Sequence, residues 1–144
     1  MKDTLQYDKE IADFKVAIDI APDNAEAYYN LGIVYAKQGK SDLAVESYQA
    51  AININPDYAQ THYNLGNAYG RQDKLDLAMA SFKKALRINP RYAKAHRNLG
   101  VTYAKQGKSD LAIESFKKAL RINPDLDSPE WQRRINSLQN KGRI

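Results

Sequence analysis

The sequence has no cysteine, a single tryptophan and only two histidines. The absence of cysteine excludes disulfides, thiolate metal sites and cysteine nucleophiles. No uninterrupted apolar run approaches the roughly 20 residues that a membrane-spanning helix needs. The sequence therefore predicts no membrane segment, and a cytoplasmic location is the default expectation.

Glycine is also scarce, and its seven residues stand singly, so the chain has no glycine-rich phosphate loop. His62 and His96 stand 34 residues apart and could approach each other on adjacent helices, but they offer at most two metal ligands because no third follows at the same step. No pair of carboxylates marks a catalytic pocket. We therefore predict no enzyme activity, no cofactor and no metal site, and we expect the histidines to pack between helices.

Charge is abundant but unevenly distributed. Residues 1–58 carry five Lys and Arg against ten Asp and Glu, whereas residues 59–144 carry seventeen against seven. A chain with an acidic first part and a basic second part favours acidic ligands at the basic end, or head-to-tail self-association.

The dominant feature of the sequence is an internal repeat with a constant step. The segment YAKQGKSDLA occurs at 35–44 and again at 103–112, and FKKALRINP occurs at 82–90 and at 116–124. A fixed period of about 34 residues is the signature of a stacked repeat architecture. The positions that keep the step include Pro22, Pro56, Pro90 and Pro124, together with Leu31, Leu65 and Leu99 and Gly32, Gly66 and Gly100.

Each period predicts two helices. In the first, Tyr28, Leu31, Gly32 and Tyr35 follow the spacing i, i+3, i+4 and i+7, which places them on one face. Gly39 can then adopt the left-handed conformation that ends a helix.

The second helix of each period is expected to begin near Ser41 and Asp42, which offer a capping hydroxyl and a negative charge. Its apolar face carries Ala44 and Tyr48. Pro56 ends it, because the residue before a proline disfavours the helical region.

This pattern resembles the tetratricopeptide repeat. Leucine-glycine-tyrosine, then alanine-aromatic-alanine, then proline recur in all three copies, and the full match covers about residues 25–124. The resemblance implies an all-α, right-handed superhelical solenoid of antiparallel helix pairs. We expect one domain over 1–144: a half-repeat at 4–22, repeats at 25–58, 59–92 and 93–126, and a capping helix at 128–140 that starts at Ser128.

The sequence departs from the family pattern at three positions. His62 and His96 stand where the family prefers a large residue such as tryptophan. Asp73 replaces the turn glycine of the other two copies, and aspartate tolerates positive φ better than most residues.

The resemblance also implies a concave surface, built by the first helices, that binds extended peptides. Asn30, Asn64 and Asn98 share one phase on that surface. An asparagine can donate to a peptide C=O and accept from its N–H. Helices about 8–10 Å apart would meet an extended chain at roughly every third residue. The arrangement is similar to the asparagine ladder of the O-GlcNAc transferase repeats. The alternative interpretation is that these asparagines are solvated or bond to their neighbours.

Further groove positions follow from the same phase, and they become more basic toward the C-terminus. A peptide with acidic residues at one end would suit them. These candidate peptide-binding residues are Tyr29, Tyr63, Asn67, Lys94, Arg97, Lys37, Arg71 and Lys105.

Some family members hold the C-terminal carboxylate of heat-shock chaperones with a fixed set of lysine, asparagine and arginine residues. Asn64 and Lys94 match that set, but Tyr29, Ile33 and Asn98 do not, so we predict that this clamp is absent. A looser carboxylate site stays open.

Two other functions compete with peptide binding. One is nucleic-acid binding through basic residues on the second helices. The other is self-assembly by head-to-tail stacking. The basic residues are Lys83, Lys84, Arg87, Lys117, Lys118 and Arg121.

Overall fold

The computed structural model describes residues 3–141, so the first two and last three residues of the predicted 1–144 domain lie outside the described part. Within 3–141 the regular structure is entirely helical, with a short 3-10 turn at Pro124–Leu126. None of these helices is long and apolar enough to cross a membrane. The helices are α1 (Thr4–Ile20), α2 (Ala25–Lys37), α3 (Ser41–Ile54), α4 (Ala59–Arg71), α5 (Leu75–Ile88), α6 (Ala93–Lys105), α7 (Ser109–Ile122) and α8 (Pro129–Lys141).

The helices stack as a chain of neighbours. Helices α2 and α3, α4 and α5, and α6 and α7 form three tightly packed pairs, and each pair packs on the next. Helix α1 packs on α2, and α8 packs on α7. The expected all-α solenoid of helix pairs is confirmed.

Close contact within each pair depends on glycine. A β-carbon added at Gly66 would lie 2.6 Å from a ring carbon of Phe82, and one at Gly32 would lie 2.5 Å from Tyr48. Such distances are far below van der Waals contact, so only glycine lets the two helices approach this closely. The ring that fills the space is almost fully buried: Phe82 is 3% exposed and Tyr48 is 2% exposed.

The turns inside the pairs have the expected left-handed residue. Gly39 has φ 76° and Gly107 has φ 77°. Asp73, which replaces the glycine in the second copy, has φ 59°. The prediction that aspartate substitutes for glycine in this conformation is confirmed.

The predicted cap of the second helices was wrong by one position. Ser41 is the first residue inside α3, and Lys40 occupies the cap position without a side-chain hydrogen bond. The reason is that the left-handed turn at Gly39 brings the chain into the helix one residue earlier. Asp42 supplies the expected negative charge in the first turn of α3, and its carboxylate accepts a hydrogen bond from the Gln72 side chain of the following repeat. The same contact recurs between Asp76 and Gln106 Nε2, at 2.8 Å.

The last described helix closes the stack as expected. Ser128 Oγ accepts a hydrogen bond from the Trp131 N–H at 3.3 Å, which confirms the predicted cap. Ile135 and Leu138 face inward and are buried. The Trp131 ring packs against Phe116 with 5.1 Å between centroids.

Candidate functional site

The in-phase asparagines are tied to the preceding repeat by tyrosine hydroxyls. Asn64 Nδ2 donates to the Tyr29 hydroxyl at 3.2 Å, and Asn98 Nδ2 donates to the Tyr63 hydroxyl at 3.1 Å. We call the first helix of each repeat a first-type helix and the second helix a second-type helix. Asn30 has no such partner among residues 3–141, because no first-type helix precedes α2 there. Two of the three amides are therefore held in a fixed orientation by the protein itself.

These bonds limit what each asparagine can offer to a ligand. Asn98 Nδ2 also donates to Asn67 Oδ1 at 2.7 Å, so both of its amide hydrogens are used. Its Oδ1 remains available to accept a hydrogen bond. Asn64 keeps one amide hydrogen and its oxygen, and Asn30 keeps both groups. Simultaneous donation and acceptance is thus open to Asn30 and Asn64 and closed to Asn98.

Two tyrosines that sequence reasoning missed complete the aromatic part of this surface. Tyr58 packs edge-on against Tyr29 at 5.5 Å between centroids, and Tyr92 stacks on Tyr63 at 4.9 Å. Tyr58 and Tyr92 also keep the step of the repeat, since each follows closely on its proline, Pro56 or Pro90. That spacing could have identified Tyr58 and Tyr92, but both precede a helix and lie outside the helix faces from which the groove was predicted.

The tyrosine pairs are partly removed from water, and their ionisation reflects this. Burial raises the pKa of Tyr92 to about 12, with the neighbouring Tyr63 as the next contribution. Burial also raises the pKa of Tyr29, and Tyr58 adds to it, whereas the hydrogen bond from Asn64 lowers it. A tyrosine is protonated at neutral pH even without such a shift, so the raised pKa only extends to more alkaline pH the range in which both phenols can donate hydrogen bonds.

Three open pockets lie along the first helices, and an in-phase asparagine lines each one. The first has a volume of about 280 Å³ and includes Glu26, Tyr29, Asn30 and Tyr58. The second, of about 240 Å³, includes Asn64 and Lys37, and the third, of about 420 Å³, includes Asn98 and Lys105. We call these the first, second and third groove pockets. Asn67 and Arg71 line both the second and the third.

Three predicted groove residues, Tyr63, Lys94 and Arg97, line none of the three groove pockets. Lys94 is exposed on α6, outside the three groove pockets. The Arg97 guanidinium lies over the Trp131 ring, 5.8 Å from its centroid. Arg97 thus belongs to the closing contact between α6 and α8, where a cation and an aromatic face attract each other.

The histidines have a structural role. His62 Nε2–H donates to the Pro56 carbonyl at 2.8 Å, and His96 Nε2–H donates to the Pro90 carbonyl at 2.9 Å. Each imidazole therefore ties a first helix to the loop before it. Across residues 3–141 no group of three or more His, Cys, Asp or Glu residues could hold a metal ion.

The basic outer surface is partly engaged in contacts of its own. The Lys83 ammonium lies 5.7 Å from the centre of the Tyr103 ring. Lys118 Nζ pairs with Glu114 at 3.0 Å, one turn away on the same helix. Two of the lysines considered for nucleic-acid binding therefore have intramolecular partners.

A stack of helix pairs with a pocketed surface along its first helices defines a helical-repeat protein. Family profiles described as TPR repeat match residues 6–39 and 35–73, and profiles described as tetratricopeptide repeat match 59–92 and 93–126. The chain belongs to the tetratricopeptide repeat family. No curated protein sequence matches it significantly.

Solved structures of similar shape include two of MamA. The crystal structure of MamA has a TM-score of 0.89 and 28% identity, covering 95% of this chain and 80% of that one. MamA 41-end from Desulfovibrio magneticus RS-1 has a TM-score of 0.76 and 26% identity, covering 85% and 69%. The first TPR of Spaghetti (RPAP3), bound to an HSP90 peptide, has a TM-score of 0.78 and 23% identity, covering 83% and 94%.

Proposed function

We propose that this protein is a non-catalytic interaction scaffold that binds an extended peptide along the three groove pockets. The observation that carries the proposal is that Asn30, Asn64 and Asn98 each line one of these pockets. Their side-chain oxygens can accept hydrogen bonds from peptide N–H groups at steps set by the spacing of the helices. Such contacts read the ligand backbone and tolerate many sequences.

The hydrogen bonds within the protein support this role. Tyr29 and Tyr63 hold the amides of Asn64 and Asn98 before any ligand arrives. A preorganised side chain loses less conformational freedom on binding, which favours affinity. In this proposal Tyr29 and Tyr63 are positioning residues, because they orient the asparagines that contact the peptide. One structural relative of the same fold, the first TPR of Spaghetti, holds a peptide.

The expected affinity is modest. Each hydrogen bond to a neutral group contributes about 0.5–1.5 kcal/mol. Three such bonds, together with contact against the Tyr29 and Tyr58 rings, correspond to a Kd on the order of micromolar.

The test uses a peptide selected on this protein from a display library of random twelve-residue sequences, then synthesised with a fluorescent label. Changing Asn30, Asn64 and Asn98 together to alanine should weaken its binding more than tenfold in fluorescence anisotropy. Asn30→Ala alone isolates the ligand contact, because its side chain makes no hydrogen bond within residues 3–141.

The matched control is Asn53→Ala, which removes an exposed asparagine from the second-type helix α3. It should leave the affinity unchanged. A triple variant that unfolds cooperatively by circular dichroism and still binds with wild-type affinity would refute backbone recognition by these residues. Failure to select any peptide binder would count against the proposal as well.

The two competing functions remain separate hypotheses. Nucleic-acid binding would depend on an outer surface where Lys83 and Lys118 already have partners. Head-to-tail stacking that continues the repeat would place α8 as the first helix of a new pair. Arg134 stands there at the glycine phase, one full repeat after Gly100, and its side chain prevents the close approach that glycine allows. Self-association would therefore need a different packing.

A further inference from the structure

Helix α4 contributes two polar side chains that are shared by neighbouring pockets. Asn67 and Arg71 lie one turn apart and line both the second and the third groove pockets. Lys37 lines the second pocket and Lys105 the third, each one repeat away from Arg71. Neither pocket is lined by an aspartate or a glutamate. The centre of the groove is therefore cationic.

The direction of the Asn67 amide is fixed by a neighbour. Its Oδ1 accepts from Asn98 Nδ2 at 2.7 Å, so its own Nδ2 group is the end left to contact a ligand. A free amide N–H donor seeks an acceptor oxygen. The residues in the same phase in the other repeats are the apolar Ile33 and Val101, so this donor is specific to the second repeat.

Arg71 adds charge at the same place. It is exposed and forms no ion pair within residues 3–141. Tyr48 lines the second groove pocket with Arg71, and the charge of Arg71 affects its pKa. Burial and Tyr29 raise the pKa of that phenol, and the Arg71 guanidinium acts against them. A guanidinium beside an amide donor matches the geometry of a carboxylate, which accepts bonds on two oxygens.

The backbone of α4 does not supply this attraction. Arg71 is the last residue of the helix, where the helix dipole presents its negative end. An anion bound there must be held by the side chains. Removing Arg71 also removes the stabilisation that a cation gives at a helix C-terminus, so its test needs a control at the end of another helix.

Building on the peptide-binding role proposed above, we infer that Asn67 and Arg71 form a carboxylate site for an acidic residue at the centre of the bound peptide. Lys37 and Lys105 stand one helix spacing away on either side, about 8–10 Å. An extended peptide covers that distance in roughly three residues. The preferred ligand therefore carries acidic residues three positions apart.

The test compares labelled nonapeptides of serine and threonine, acetylated and amidated, that carry either two glutamates or two glutamines three residues apart. At low ionic strength the glutamate peptide should bind at least tenfold more tightly in fluorescence anisotropy. Arg71→Gln should abolish most of that difference. Asn67→Val, which introduces the residue of the third repeat, should reduce it by a smaller factor.

The matched control is Arg87→Gln. Arg87 is exposed in the last turn of α5, so it shares the charge and the helix-end position of Arg71 but lies on a second-type helix. It should leave the glutamate preference intact. A glutamine peptide with a free C-terminal carboxyl group shows whether a chain terminus fills the same site, because its added affinity would then also depend on Arg71.

Equal binding of the glutamate and glutamine peptides overturns the carboxylate site, as does an equal loss in Arg71→Gln and Arg87→Gln. The asparagine variants separate this outcome from failure of the broader proposal. If Asn64→Ala weakens both peptides equally while the glutamate preference is absent, backbone recognition stands and only the carboxylate site is wrong. If the glutamate preference depends on Arg71 while Asn64→Ala leaves the affinity for both peptides unchanged, the carboxylate site stands and backbone recognition is wrong.

Discussion

The two ends of the described array differ in how well their apolar surface is covered. At the α1 end, Leu5 is 79% exposed and Ile20 is 80% exposed, and no residue of α1 is buried. At the α8 end, Ile135 is 5% exposed and Leu138 is 7% exposed. Helix α1 is a second-type helix without a first-type partner, whereas α8 is a first-type helix that covers the pair before it.

The comparison shows that a repeat is stabilised by its neighbours rather than by its own sequence. Phe14 occupies the same phase as Phe82 and Phe116 but is only half-buried, because no helix among residues 3–141 packs on its other side. At the other end, Arg133 and Arg134 replace the leucine and glycine of the repeat and give α8 a charged outer face. Capping of this kind keeps the end of a solenoid soluble.

The largest expected difference between the interior and the open end is in the stability lost when an aromatic ring is removed from each. Phe82→Ala should lower the free energy of unfolding by about 3–5 kcal/mol, because it leaves a cavity against Gly66. Phe14→Ala should cost only about 1 kcal/mol, because the ring is half-buried. Urea denaturation followed by circular dichroism measures both. Equal losses would mean that the open end is as well packed as the interior.

A smaller effect is expected at the closed end. Trp131→Ala should cost about 2 kcal/mol, because the half-buried indole covers Phe116. Hydrogen exchange should accelerate in α7 and α8 and stay unchanged in α2 and α3.

The control for the Trp131 variant is Arg97→Gln, which removes the cation over the ring and keeps the indole in place. It should cost less than about 1 kcal/mol. Exchange that accelerates uniformly along the chain in Trp131→Ala would show that α8 stabilises the array as a whole rather than its last pair.

The last effect concerns alkaline pH and is absent at neutral pH. Because burial raises the pKa of Tyr92 from 10.0 to about 12, the unfolded chain loses this proton first as the pH rises. The corresponding stability is fully present below pH 10 and is lost between pH 10 and about 12. Tyr92→Phe should make the free energy of unfolding fall less steeply across that window. Tyr7→Phe, on α1, is the matched control, and an identical slope in the wild type and Tyr92→Phe would contradict the assignment.

The fold was predictable because every repeat restates the same constraint. The glycine and aromatic positions recur in each repeat at the same step. Three copies of one pattern therefore identified the helices more reliably than the residues of any single helix could. The cap at Ser41 was misplaced because a loop turn, rather than residue preference, sets where α3 begins. The capping helix was predictable from Ser128 and Pro129, since a good helix start needs only local residues.

The candidate site was less predictable than the fold. Phase put Asn64 and Asn98 at equivalent positions of successive repeats but could not show that tyrosine hydroxyls already engage their amides. Those bonds join residues 35 apart, one more than the repeat, and they arise from stacking of whole helices. Arg97 illustrates the same limit: its phase matches Tyr63, but phase could not show that its guanidinium lies over the indole of α8.

The contact between Gly66 and Phe82 is confined to one helix pair. The hydrogen bonds that Gln72 donates to Asp42 and Gln106 donates to Asp76 repeat in form at successive junctions. A complete repeat module could therefore be duplicated or excised without redesigning its neighbours. Each added module would lengthen the inner wall by one helix spacing, so the reach of the protein along a partner chain can be adjusted in whole steps while its mode of recognition stays the same.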